Sequence, residues 1–164
     1  MNQSRAQRQM CPDFRERKQY QSRMDAANGM VHCDVMQSRK SADEPPLLSV
    51  VDDDEMLRES LPDLLRECGF AARAFSSGKE FLSSEYVEET RCLILDIAMA
   101  GMSGLELQQE LKRRKKTIPI IFITAHRDEG IRQQALGQGA VTVLYKPFSD
   151  TALLDAVSSA LRLK

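Results

Sequence analysis

From Leu47 onward the chain alternates short, continuously apolar runs with longer stretches whose apolar residues recur at helical period. The runs cover residues 47–51, 71–75, 92–95, 118–123 and 141–145. The periodic stretches cover 55–68, 77–86, 104–115, 128–138 and 150–162. Strand followed by helix, five times over, predicts an α/β domain with a five-stranded parallel sheet and helices on both faces. Strands covered on both faces read as unbroken apolar runs rather than as alternating ones, which is the pattern seen.

Local signals place the boundaries. Ser77 with Glu80, and Ser103 with Glu106, fit the capping box, in which the serine accepts from a backbone N–H and the glutamate reaches back. Ser149 is a suitable N-cap for the last helix. The basic run Arg113-Arg114-Lys115-Lys116 falls at the end of the third helix, where cations favour the dipole, and no aromatic residues interleave with it as a nucleic-acid surface would need. Pro62 falls inside the first helix and removes an N–H, so a kink is expected there.

Residues 1–44 lack sustained apolar periodicity and end in Ala42-Asp43-Glu44-Pro45-Pro46. They are expected to form a disordered extension, with the folded domain spanning 45–164. Met30 and Met36 offer alternative downstream starts.

A formal net charge of −1 and a pI near 6.2 give no general attraction to nucleic acid or an anionic membrane. Neither is expected as a partner. Cys11, Cys33, Cys68 and Cys92 show no zinc-like spacing with His32 or His126, and read as reduced thiols, with Cys68 and Cys92 packing as small hydrophobes. Runs such as 118–123 are too short to span a bilayer, and the N-terminus carries no signal-like apolar block. A cytoplasmic location is expected.

In an open parallel sheet, ligands gather outside the carboxyl ends of the strands. There the chain places Asp52-Asp53-Asp54 after the first strand, Asp96 after the third, Thr124-Ala125 after the fourth and Lys146-Pro147-Phe148 after the fifth. Carboxylates, a hydroxyl and an ammonium converging on one rim suit a hard divalent cation acting on a phosphoryl group. One carboxylate could be a nucleophile that forms an aspartyl phosphate. Taken singly, each piece has a plainer reading as a turn, a cap or a solvated side chain.

The segments VVDDDEMLRESL, LILDIAMAGMSGLEL, PIIFITAH and YKPF together resemble the receiver domain of two-component response regulators, over roughly 47–163. The resemblance implies a flavodoxin-like (β/α)5 fold that takes a phosphoryl group from a histidine kinase or histidine phosphotransfer protein. It implies Asp96 as phosphoacceptor. Mg²⁺ would be held by Asp53, Asp96, Asp52 and the backbone carbonyl of Ala98, and the phosphoryl oxygens by Thr124, Ala125 and Lys146. It further implies an output face on the fourth helix, fifth strand and fifth helix. With nothing after Lys164, a single-domain receiver is expected, which signals to a separate downstream protein.

Some positions depart from that pattern. Ala100 stands where proline is common, and Ala98 puts no polar side chain near the path of attacking water. Val143 occupies the position where many members carry an aromatic switch residue, and Tyr145 is expected on the other strand face, unable to replace it. His126 reads as an ordinary loop residue. Two rival readings remain. A haloacid dehalogenase-type phosphatase would use Asp52 as nucleophile, with Asp54 beside it, but leaves Asp96 without a role. An adaptor with an inactive receiver fold would leave the whole acidic set unused.

Overall fold

The computed structural model describes residues 44–162. The expected extension therefore lies, apart from Glu44, outside the described residues, as do Cys11, Cys33 and His32. Five strands form one parallel sheet: β1 (Leu47–Val51), β2 (Ala71–Phe75), β3 (Thr90–Asp96), β4 (Ile120–Thr124) and β5 (Thr142–Tyr145). Their order across the sheet is β2-β1-β3-β4-β5. The helices are α1 (Glu55–Glu67), α2 (Gly78–Ser83), α3 (Gly104–Arg113), α4 (Glu129–Gly137) and α5 (Asp150–Arg162), with a 3-10 turn at Glu85–Val87.

Side chains along each strand alternate between two apolar layers. Val51, Leu93, Leu95, Phe122 and Val143 pack with Phe81 of α2, Leu107 and Leu111 of α3 and Ala135 of α4. Leu48, Val50, Ile94, Ile121 and Ile123 pack on the other side with Leu61 and Leu65 of α1 and Leu153 and Val157 of α5. Cys92 lies in this second layer, as expected of a small hydrophobe. Both faces are covered, so the strands have no solvent side to keep polar.

The differences from the sequence expectation lie at element ends. Strand β3 begins two residues earlier, because the Thr90 hydroxyl donates to the Tyr86 carbonyl and pairs with the buried Ser49 hydroxyl. Those bonds make a polar pair acceptable in the interior. Strand β4 starts only after Pro119, which has no N–H for the ladder, although its carbonyl accepts from Leu93. Helix α2 stops at Ser83, where the Ser84 hydroxyl takes the Phe81 carbonyl. Helix α3 closes with Lys115 at φ 58°, its N–H on the Lys112 carbonyl and that of Lys116 on the Leu111 carbonyl. This left-handed closure usually employs glycine.

The caps follow the expectation with one change. Ser103 and Glu106 form the full reciprocal box. At α2, Ser77 accepts from the Glu80 N–H, but the Glu80 carboxylate takes the N–H and hydroxyl of Ser76 instead of reaching back to Ser77. Ser149 accepts from the Ala152 N–H at the start of α5. Helix α1 continues as one element through Pro62, whose ring is buried with Leu61 and Leu65.

Gly104 opens α3 against the end of β3, and a Cβ there would sit 2.3 Å from the Asp96 carbonyl oxygen and 3.0 Å from the Phe122 ring. Gly104→Ala is therefore expected to destabilise the fold by about 1–3 kcal/mol in urea titrations. Gly137→Ala, where a Cβ meets nothing within 4 Å, should be neutral or stabilising by up to about 1 kcal/mol.

Candidate functional site

The order β2-β1-β3-β4-β5 reverses direction between β1 and β3, so the loops leaving these two strands part to opposite sides of the sheet and open a crevice. Asp52 follows the end of β1, and Asp96 is the last residue of β3. Asp52, Asp53 and Asp96 each offer a carboxylate oxygen within 4.8 Å of the others, with Asp52 and Asp96 buried and Asp53 exposed. An all-oxygen donor set of this kind fits a hard divalent cation.

The first carboxylate is the most firmly held. Asp52 has no exposed surface; its Oδ1 accepts from the Asp54 N–H at 2.8 Å and its Oδ2 from Lys146 Nζ at 3.0 Å. Lys146 Nζ also lies 3.3 Å from Asp96 Oδ1, so one ammonium bridges two carboxylates from two strands. Asp53 faces outward, where its Oδ2 accepts from the Ala100 N–H at 3.2 Å. Asp54 turns away from the cluster and caps α1, accepting from the Met56 N–H.

Burial pushes the Asp96 carboxyl above its ordinary range; Lys146 pulls it back, while Asp52 and Asp53 add to the rise. For Lys146, burial acts to lower the pKa, but the hydrogen bond to Asp52 and the charges of Asp96 and Asp52 outweigh it and hold the ammonium above its usual value. The proton thus stays on the lysine.

Thr124 ends β4 buried, with its Oγ accepting the His126 N–H at 3.1 Å and its carbonyl accepting the Lys146 N–H at 2.8 Å. The peptide after Lys146 is cis. Ala98 and Ala125 are exposed on the loops that follow β3 and β4. His126 is likewise exposed, and its backbone N–H donates to the Thr124 hydroxyl.

The expectation for Tyr145 is corrected. Residues two apart on a strand share a face, so Tyr145 lies on the side of Val143, not opposite it. Val143 is packed in the layer with α4, and the Arg127 guanidinium stands 5.6 Å from the Tyr145 ring centre. The sequence reading also missed Arg127, for which periodicity gave no signal because it lies in a loop.

A family model for the response regulator receiver domain matches residues 48–158. Nodulation protein W of Bradyrhizobium diazoefficiens is 46% identical over 114 residues, covering 70% of this chain and 50% of that protein. Transcriptional regulatory protein TdiR of Thauera aromatica is 40% identical over 128 residues, 78% of this chain and 56% of its own length. Among solved structures, response regulator StyR superimposes with a TM-score of 0.68 at 45% identity, over 73% of this chain and 60% of that one. The chain spans about half the length of the curated relatives it matches.

These relatives overturn the expectation that nucleic acid has no place among the partners, since TdiR is named a transcriptional regulatory protein. A near-neutral charge on this segment is a property of the segment alone, and the match takes in little more than half of that regulator. The expectation of a stand-alone receiver loses its footing for the same reason. No helix among the described residues is long and apolar enough to cross a membrane.

The raised Asp96 pKa fixes the sign of a pH effect. Between the unfolded value near 3.8 and the higher folded one, the native state binds more protons, so ionised Asp96 lowers stability as pH rises through that window. Asp96→Asn, which mimics the neutral form, is expected to raise the melting temperature at pH 7 in the presence of a chelator. The gain should shrink toward pH 4, as thermal scans across that range would reveal.

Proposed function

The chain belongs to the response regulator receiver family, whose domains are phosphorylated on an aspartate in two-component signalling, and on that premise we propose that Asp96 is the residue that carries the phosphoryl group here. The observation that carries the reading is the Lys146 ammonium shared between Asp96 and Asp52, the two buried members of a three-carboxylate cluster. An Asp96 oxygen attacks the phosphorus of a phosphohistidine on a kinase or phosphotransfer protein. The P–N bond breaks, and its electron pair stays with the imidazole. Lys146 then has an incoming phosphoryl oxygen to pair with, while the Thr124 hydroxyl at the end of β4 and the Ala125 N–H just after it are available to donate to others.

Asp52, Asp53 and Asp96, with the Ala98 carbonyl, are the residues that would hold Mg²⁺. Bound there, the ion supplies positive charge where negative charge accumulates during the transfer. The modified Asp96 carries close to two negative charges where its carboxylate carried one, and drawing Thr124 and its loop toward them changes the surface beside α4 and β5. The domain is thus a signalling receiver that acts in the cytoplasm, not an enzyme for a separate substrate. Asp52 suits the phosphatase role poorly: it is fully buried, and each of its carboxylate oxygens is already bonded.

Incubation with acetyl phosphate and Mg²⁺ is expected to add one phosphoryl group, about 80 Da by intact mass. Asp96→Asn should abolish the addition. Persistence of the label in that variant, together with its loss in Asp52→Asn, would favour the phosphatase; no label in the unaltered protein would favour the inactive adaptor.

A further inference from the structure

The three carboxylates of the cluster are not equally anchored. Asp52 is fixed by Lys146 and by the Asp54 N–H, and Asp96 by its place in β3 and by Lys146. Asp53 is exposed, and among the described residues the bond to its carboxylate is the one from the Ala100 N–H, on a loop. What fixes Asp53 from behind is the peptide that joins it to Asp52. The carbonyl of that peptide accepts a hydrogen bond from Arg58 Nη1 at 3.1 Å, in a partly buried position.

Arg58 lies on α1, the helix that Asp54 caps immediately after the cluster. Its charge also attracts Glu80 of α2, whose carboxylate is itself held by the N–H and hydroxyl of Ser76. The geometric anchor of the guanidinium is its bond to the Asp52 carbonyl. With the Asp52 carbonyl held, the peptide plane is held, and with it the position of the Asp53 Cα from which the side chain departs.

We propose that Arg58 is a positioning residue for the divalent cation, acting through the Asp52–Asp53 peptide to set the Asp53 carboxylate. The inference rests on the reading of Asp52, Asp53 and Asp96 as the cation's ligands. Outer partners that orient metal ligands typically change affinity by about 10–100-fold when removed. The charge of Arg58 works in the opposite sense, because a cation near the site repels Mg²⁺. Loss of the hydrogen bond and loss of the charge thus predict opposite signs.

The test is Mg²⁺ titration by calorimetry on the full chain, beside thermal scans in chelator. Arg58→Met is expected to weaken Mg²⁺ binding about tenfold while the melting temperature in chelator shifts by only a few degrees. Arg58→Lys, which keeps the charge and one donor, should fall between Arg58→Met and the unaltered protein. Unchanged or tighter binding in Arg58→Met overturns the proposal and leaves a charge effect alone. If Arg58→Met does not fold, Arg58→Lys decides: weakened binding supports the role, and unchanged binding overturns it. No Mg²⁺ binding by the unaltered protein would instead refute the ligand assignment itself, and the positioning role with it. Phosphorylation lost in Asp96→Asn is a separate outcome that Arg58 does not govern.

Discussion

One ammonium makes the centre of this domain possible. Three carboxylates lie within 4.8 Å of one another, and at an effective dielectric of about 20 each close pair repels by roughly 3–4 kcal/mol. Lys146, at 3.0 Å from Asp52 and 3.3 Å from Asp96, supplies two attractions of about 5 kcal/mol each on the same scale. The terms are of similar size, so the cluster survives in a folded protein yet keeps an excess of negative charge. That excess of charge suits the rim to a cation, and burial leaves the Asp96 carboxylate poorly solvated.

The sheet order turns this charge balance into a site. Asp52, Asp96 and Lys146 sit at the ends of β1, β3 and β5, and no local segment could bring them together. Parallel strands place all the carboxyl ends on one edge, and the reversal between β1 and β3 opens the crevice. Small residues then let the elements close in. Gly104 allows α3 to start against the Asp96 carbonyl, where any side chain would collide. The core beneath the rim is closely packed, while Ala98, Ala125, His126 and Arg127 on the loops above it are all exposed.

Much of this was legible in the sequence because the signals were strong and local. Apolar runs marked the strands, with β1 and β2 matching to the residue, and serine–glutamate pairs marked the helix starts. Where the reading slipped, tertiary contacts had overridden local pattern. Thr90 joins β3 as the register partner of Leu47, with its hydroxyl bonded to that of Ser49, and the Glu80 carboxylate bonded Ser76 instead of Ser77. The site's carboxylates and lysine stood out as strand-end charges. Arg58 did not, because an arginine on a helix looks like a solvated side chain until its carbonyl partner is seen. Tyr145 was misplaced for a different reason, a slip in strand parity that the packing of Val143 and Leu144 into opposite layers exposes.

The claim that Asp96 carries the phosphoryl group is tested most directly by trapping the bond itself. An acyl phosphate is reduced by borohydride, which turns the modified aspartate into homoserine, and peptide mass spectrometry then reads its position. Homoserine at position 96 is the predicted result. Homoserine at position 52, with Asp96 intact, would contradict the account.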